Sequence, residues 1–362
     1  MYMRRCLQLA ANGLGRVRPN PLVGCVVVAA TETFAGKLPA YQIISEGYHQ
    51  CYGEWHAERN ALLRSSQLST ANCQLSTLYV NLEPCSHYGK TPPCADLIIE
   101  KGINRVVCCN DDPNPLVAGR GFRKLEEAGI EVVRHVLEAE GRELNRRFFT
   151  FMEQRRPYVI LKWAESADGF MAPILKSQSE LKEQKESSDS SFSSDCNKQY
   201  WLSSQRQNRL NHRWRTEEAA ILVGSETYLR DHPSLTARHY LGPQPQPVVL
   251  DRRGRLLSQS EVISQSELKE QKESSNSSFG SDCNKKNCLV LHCQTIPEVL
   301  QELYERKLQS VIVEGGRKIL DAFITSGLYD EVRIIRSPQH LGNGLPAPAI
   351  PPIAPNRLTI ID

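Results

Sequence analysis

The sequence predicts two α/β domains in series, each a sheet of buried strands with helices on both faces. Three observations predict this. Short apolar runs rich in Val, Ile and Leu recur through both halves, as expected of strands covered on both sides. Segments of helical periodicity separate them, and that alternation implies a helix-covered sheet. The length of 362 residues suits two domains better than one.

The opening Met1-Tyr2-Met3-Arg4-Arg5 imitates a leader peptide, but Gln8 and Asn12 interrupt its apolar run too early for one. It reads as an amphipathic first helix. Strands follow at Cys25–Val28, Leu78–Val80, Val106–Cys109 and Ile130–Val133, with helices at His56–Arg64, Cys94–Lys101 and Phe122–Ala128. One further helix, around Glu138–Phe151, leads to Arg155-Arg156-Pro157, where charge and proline mark a boundary. The first domain is therefore expected over 1–150 and the second over 157–362. In the second, strands are predicted at Tyr158–Lys162, Ala220–Val223, Pro247–Leu250, Cys288–Leu291, Ser310–Val313 and Glu331–Ile335. Its helices are predicted at Gln205–Arg215, Ser225–Asp231, Glu298–Arg306 and Lys318–Ser326.

Two segments interrupt the second domain. Ser177–Lys198 and Ser264–Lys285 are identical at 20 of 22 positions, while their flanks are not duplicated. Serine-rich and poor in large apolar residues, they cannot bury enough surface to offset the entropy of ordering. They read as one element inserted twice, at 177–198 and 264–285, as disordered loops at the surface. A paired binding motif, or regulatory thiols at Cys196 and Cys283, is the alternative.

Residues 1–150 hold 17 Lys/Arg against 15 Asp/Glu, and the rest 27 against 26. Neither half has the basic excess of a nucleic-acid binder. No run approaches the roughly 20 apolar residues of a membrane span. Twelve cysteines scattered through a chain of this size read as reduced thiols of a cytoplasmic protein rather than a disulfide framework. Oligomeric state stays open, a homo-oligomer included.

The most informative residues are His56, Glu58, Cys85 and Cys94. An imidazole and two thiolates fill three of zinc's four tetrahedral positions and leave the fourth to water. Zinc lowers the pKa of such a water to about 7, and a nearby carboxylate that is not a ligand can shuttle its proton to a departing amine. His56 and Cys94 each open a predicted helix, whose positive end favours thiolate over thiol. A structural zinc site is the alternative, but it needs a fourth protein ligand, and none is evident. Eight residues, Ser86 to Pro93, separate the cysteines, where deaminases of nucleosides and nucleic acids have two. Within that loop His87 and Lys90 could meet an anionic substrate, or simply be solvated.

A longer run of motifs now counts: Asn20-Pro21-Leu22-Val23-Gly24, Gly47-Tyr48-His49, His56-Ala57-Glu58, Leu82-Glu83-Pro84-Cys85 through Cys94, and Asp112-Pro113-Asn114-Pro115 through Gly121. Together they resemble the deaminase half of the bifunctional riboflavin biosynthesis deaminase/reductase family, over nearly all of the first 150 residues. Leu161–Gly169, Ala220–Asp231 and Val313–Arg317 resemble, in order, blocks of that family's reductase half. The resemblance implies a cytidine-deaminase-like α/β/α sandwich followed by a dihydrofolate-reductase-like α/β domain, with one zinc ion and NADPH as cofactors. It implies zinc ligands His56, Cys85 and Cys94, proton transfer by Glu58, and contacts to a pyrimidine ribosyl phosphate from Asn20, His49, His87 and Lys90.

For the reductase half it implies NADPH near Ala164, Trp201, Thr227, Asp231 and Gly316. Contacts to the ribosyl phosphate are implied from Lys162, Ser166, Arg215, Leu235, Arg238 and Glu314. Arg252 and Arg253 could receive the 2′-phosphate of the cofactor or form an ordinary charged turn, and Gly315-Gly316 by itself is a turn signal. The chain departs from the family pattern at the two inserts, at His232, and in a tail that turns proline-rich over Leu345–Pro355. These departures leave room for a monofunctional deaminase with a decayed second domain. A nucleic-acid-editing deaminase is opposed by the cysteine spacing and flat charge, and an open fourth metal position would exclude a zinc-stabilised scaffold. Deleting both inserts together should leave deamination unchanged and NADPH oxidation equal or faster. Lost activity in either assay would give the inserts a function.

Overall fold

The computed structural model describes residues 1–30, 41–64, 76–88, 92–115, 117–173, 202–256, 288–350 and 357–362. Both inserts, Lys90 and Trp201 lie outside them. The chain divides into two compact units, Met1–Tyr158 with Gln301–Gln309, and Val159–Leu300 with Ser310–Asp362.

In the first unit the order is α1 (Tyr2–Ala11), β1 (Gly24–Ala30), β2 (Tyr41–Tyr48), α2 (Ala57–Arg64), β3 (Ser76–Leu82), α3 (Cys94–Glu100), β4 (Arg105–Asn110), α4 (Arg120–Glu127), β5 (Glu131–Val133), α5 (Glu138–Leu144) and α6 (Arg146–Gln154). The strands form one sheet in the order β2-β1-β3-β4-β5. β1 runs antiparallel to β2 and β3, while β3, β4 and β5 are parallel.

Strand alternation separates two cores. Cys25, Val27, Leu78, Val80, Val106 and Cys108 pack with Ala61 and Leu62 of α2, Ile98 of α3 and Phe122 of α4. Val26, Val28, Val107 and Cys109 pack instead with Met3, Cys6 and Leu9 of α1. Each fully buried Val, Leu, Ile or Phe contributes about 1.5–3 kcal/mol. An exposed pair such as Arg5–Glu46 at 2.7 Å contributes far less, because solvent screens it. Two-sided apolar burial therefore holds this sheet.

Two elements differ from expectation. β2 is an edge strand, exposed over Tyr41–Ile43, so no apolar run announces it. It comes close to α2 at Gly47, where a Cβ would sit 2.4 Å from Ala61 N. The single helix expected at Glu138–Phe151 is broken at Asn145 (φ −96°, ψ 20°). Its buried side-chain amide accepts from Leu22 N at 2.8 Å and donates to Leu22 O at 2.9 Å.

The second unit contains β6 (Tyr158–Glu165, whose first residue belongs to the first unit), β7 (Phe170–Pro173), α7 (Gln205–Glu217), β8 (Ala220–Gly224), α8 (Ser225–Asp231), β9 (Gln246–Leu250) and β10 (Leu289–Leu291). It continues with α9 (Ile296–Glu305, shared between the units), β11 (Ser310–Val313), α10 (Arg317–Ser326), β12 (Glu331–Arg336), β13 (Gly344–Pro346) and β14 (Leu358–Ile361). Seven strands form a sheet in the order β10-β9-β8-β11-β6-β12-β14. The ladders β10–β9, β9–β8, β8–β11, β6–β12 and β12–β14 are parallel. The tail, read from sequence only as proline-rich, contributes β13 to a hairpin-like pair with β7 and β14 to the sheet edge, where Leu358 pairs with Val332. Asp168 pins the turn between β6 and β7, accepting from Ser166 Oγ at 2.6 Å, Leu341 N at 3.1 Å and Gly342 N at 2.7 Å. No helix among the described residues is long and apolar enough to cross a membrane.

α7 is entered through a capping box, in which the Ser204 hydroxyl accepts from Gln207 N and the Gln207 side chain accepts from Ser204 N. It buries His212 to 2% exposure, with Nδ1 lacking a hydrogen-bond partner among the described residues. The ring meets His239 edge-on at 4.6 Å. Burial first, then Arg215, pushes its pKa from 6.5 down to about 4. The unfolded chain therefore binds this proton more readily than the folded one, so stability is lost as pH falls from about 6.5 through about 4. Urea titrations of wild type should show this loss, with a slope over that interval steeper than in His212→Gln by up to about one proton. Equal slopes would show that His212 does not titrate this way.

Candidate functional site

Three potential metal donors converge in the first unit. His56 immediately precedes α2, Cys85 lies three residues beyond β3, and Cys94 is the first residue of α3. Their donor atoms all lie within 4.8 Å of one another. His56 Nδ1 is 3.6 Å from Cys85 Sγ and 3.5 Å from Cys94 Sγ. A tetrahedral zinc with bonds of about 2.3 Å to sulfur and about 2.0 Å to nitrogen would set these separations near about 3.5 Å, so the donors fit the ion. Cys94 N, at the start of α3, donates to Cys85 Sγ at 3.3 Å. Cys85 is the member of the pair drawn toward thiolate, first by the hydrogen bond from Cys94 Sγ, with His56 and Cys94 N adding to it.

Glu58, in the first turn of α2, lines the same cavity and is 3% exposed. Burial pushes its carboxyl up to about 7 against the opposing charge of His56, and a cation bound beside it would draw that value down. A buried carboxyl pulled in opposite directions by burial and by a neighbouring cation can take up and release a proton.

The cavity, about 570 Å³, is also lined by Asn20, His49, His87, Asp112 and Asn114. Asn20 is placed by a strip of backbone held from several sides. Asn81 accepts from Gly24 N at 2.7 Å and donates to Leu22 O at 2.9 Å, Asn145 grips Leu22, and His49 N donates to Val23 O at 2.9 Å. His49 is 2% exposed, and burial lowers its pKa, so its ring is neutral. Nδ1 pairs with Trp55 O at 3.1 Å and Nε2 with the Asn20 amide nitrogen at 3.1 Å. The carbonyl fixes the proton on Nδ1, so Nε2 accepts from Asn20 and leaves the Asn20 oxygen free of this contact. Both ring nitrogens are thus committed, which places His49 behind Asn20. His87 is exposed at the cavity.

Sequence reasoning missed Glu83, Asp112 and Asn114 as individual residues. Their signal was present in the Glu83-Pro84 and Asp112–Gly121 motifs, but nothing local says that these segments meet. Asp112 is pushed up to about 7 by burial, although Asn114 N donates to it at 2.8 Å.

In the second unit Lys162, Arg215 and Glu314 come together. Glu314 accepts from Arg215 Nε at 2.9 Å and Nη2 at 2.8 Å, and lies 3.6 Å from Lys162 Nζ. Burial alone raises Glu314, but Lys162 and Arg215 outweigh it and hold the carboxyl well below its usual range. The third arm of Arg215 donates to Thr236 O at 2.8 Å, tying α7 to the loop that carries Leu235 and Arg238. Leu235 is buried, whereas Arg238 is exposed and reaches the Ser234 hydroxyl.

Adjacent parallel strands β8 and β11 end at the starts of α8 and α10, where Gly316 N donates to Thr227 Oγ1 at 3.1 Å. Among the described residues, no atom beyond its chain neighbours lies within 4 Å of where a Cβ on Gly224 would be. That opening beside helix starts fits a phosphate-bearing cofactor. Asp231 ends α8, and Ala164 sits in β6 opposite Ile335 of β12. Ser166 is fully buried, donating to Asp168 and accepting from Phe170 N at 2.9 Å.

Residues 1–110 match the family described as the cytidine and deoxycytidylate deaminase zinc-binding region, and residues 157–357 match the RibD C-terminal domain. The riboflavin biosynthesis protein RibD of Aquifex aeolicus is 36% identical over 352 residues, 95% of this chain and 88% of that protein. RibD of Bacillus amyloliquefaciens is 38% identical over 360 residues, 96% and 86% of the two chains. The structure of Acinetobacter baumannii RibD matches with a TM-score of 0.73 at 31% identity, covering 96% of this chain and 88% of that one. A diaminohydroxyphosphoribosylaminopyrimidine deaminase/5-amino-6-(5-phosphoribosylamino)uracil reductase from Thermotoga maritima matches at 0.70 and 34% identity, covering 95% and 88%.

Proposed function

The chain belongs to the family of bifunctional riboflavin biosynthesis deaminase/reductases, and from that premise we propose how its own residues divide the two reactions. It is a zinc-dependent deaminase fused to an NADPH-dependent reductase, acting on small pyrimidine substrates. The monofunctional alternative is not favoured, because the reductase match spans residues 157–357.

In the first unit the substrate is 2,5-diamino-6-ribosylamino-4(3H)-pyrimidinone 5′-phosphate, deaminated by water. The observation that supports this best is the His56–Cys85–Cys94 triad at 3.5–3.6 Å with buried Glu58 on the same cavity. Zinc, when bound by these three residues, supplies the Lewis-acid charge that lowers the pKa of a water to about 7. Glu58 takes the proton from the attacking water and passes it to the amine, which leaves as ammonia. Asn20, oriented by His49, hydrogen-bonds the pyrimidine, while His87 meets the ribosyl phosphate; Lys90, the other residue read for the phosphate, lies outside the described residues.

In the second unit NADPH supplies the hydride that reduces the ribosyl side chain to ribityl. Ala164, Thr227, Asp231 and Gly316 surround the cofactor, and Trp201, also read for it, lies outside the described residues. Lys162, Glu314 and Ser166 form the floor of the substrate site together with Leu235. Arg215 is already bidentate to Glu314, so it aligns that carboxylate and leaves Arg238 as the arginine presented to the phosphate. Binding and orientation supply most of the rate, as no acid or base stands out for this step. Balanced charge supports a small-molecule enzyme of the cytoplasm, without nucleic-acid or membrane partners.

Glu58→Gln should retain zinc and fold yet lose deamination by about 10²–10⁴-fold, whereas Cys85→Ser should lose the metal. Metal analysis and ammonia release check both, and near-normal turnover in Glu58→Gln would reassign that residue to structure. Arg238→Ala should raise KM for the ribosyl phosphate about ten- to a hundredfold, the loss of one charge-assisted hydrogen bond, with NADPH affinity unchanged by titration. Unchanged kinetics would leave Arg238 as a cap on the Ser234 turn.

A further inference from the structure

We propose that Glu83 is a positioning residue of the deaminase site, fixing one wall of the cavity by closing the Asp112–Phe122 loop. This rests on reading that cavity as the deaminase site.

Glu83 follows the last residue of β3, and its side chain is almost wholly buried. Among the described residues it makes no ion pair. Its charge is met by backbone alone. Oε2 accepts from Asp112 N at 3.3 Å and Gly119 N at 3.0 Å, and Oε1 from Gly121 N at 2.9 Å and Phe122 N at 3.4 Å. These donors come from both ends of one loop. Its far end is the start of α4, where the N-cap is Gly119 at φ 74°, a residue with no side chain to cap the helix. First-turn N–H groups need an acceptor, and the helix dipole favours an anion there. Glu83 supplies that cap from 36 residues away in sequence.

The loop between these ends is braced internally. Asn114 N donates to Asp112 Oδ1 at 2.8 Å, and Val117 N and Ala118 N donate to Asn114 O at 2.8 and 3.0 Å. These bonds tie Asp112, Asn114, Val117 and Ala118 together, and Asp112, Asn114 and Val117 line the cavity. The contact is close. A Cβ on Gly121 would stand 2.0 Å from Pro84 O, and Pro84 precedes Cys85. One carboxylate thus sets the loop in register with the segment that delivers a metal-binding thiol.

Glutamine at 83 keeps the volume but offers one acceptor oxygen and turns an NH₂ toward backbone donors. In the full-length zinc enzyme, Glu83→Gln should raise the deaminase KM by about tenfold with kcat within about threefold and zinc retained, a loss of binding rather than of proton transfer. Amide exchange at Gly119 and Gly121 should quicken in the variant while β3 and β4 stay protected. Wild-type KM with only a lower Tm would overturn the proposal, as would loss of zinc, which would place the effect on Cys85. Should the variant not fold, exchange in the wild-type protein decides. Slow exchange of the Gly119 and Gly121 amides upholds the closure, and exchange at open-loop rates overturns it. No ammonia release from the wild-type zinc enzyme would instead bring down the deaminase reading, while the exchange readout would still judge the loop.

Discussion

Where β3 ends, Glu83 gathers four backbone N–H groups from a distant loop, and two residues later Cys85 accepts a fifth from the start of α3. Glu83 is buried and Cys85 half-buried, and among the described residues neither is paired with a lysine or arginine side chain. Their stabilisation comes from oriented peptide dipoles at helix starts. That requirement dictates the geometry around the site, since α3 and α4 must each begin against the same short stretch of chain. Moving the α4 start would leave the buried Glu83 carboxylate without these partners.

The remaining wall follows the same rule with neutral groups. Asn81 and Asn145 each grip the Leu22–Gly24 strip through both ends of the amide. Asn60 donates to Tyr48 O at 2.9 Å and Trp55 O at 3.1 Å, fixing the turn between His49 and His56. A buried donor or acceptor left unpaired costs about 1–3 kcal/mol, so each amide admits few alternative loop positions. Apolar packing stabilises the sheet, and these amides decide where its loops stand.

The second unit solves a related problem with cations. Glu314, whose side chain is 9% exposed, is matched by Arg215 and Lys162 rather than by backbone. Breaking such a pair by removing one member typically costs about 3–5 kcal/mol, because the other charge stays buried. Arg215, read from sequence as a phosphate ligand, is bidentate to this carboxylate in the folded chain. The exposed arginine is Arg238, whose position in the chain gave no hint of the difference.

Buried strands were legible in the sequence because covering both faces of a sheet demands continuous apolar runs, as at Val26–Val28, Val106–Cys109 and Val311–Val313. The metal donors were legible because His, Cys and Cys beside helix starts carry chemistry that few other roles need. Edge strands escaped notice. Among the described residues β2 and β14 each have one free side and need no such run, and Asn145 breaks a helix through a partner 123 residues away. Glu83, Asp112 and His49 show the wider limit. A side chain's type says what it can bond, but only the packed chain supplies its partner. Tertiary structure therefore decided which polar residues face the cavity and which hold others in place.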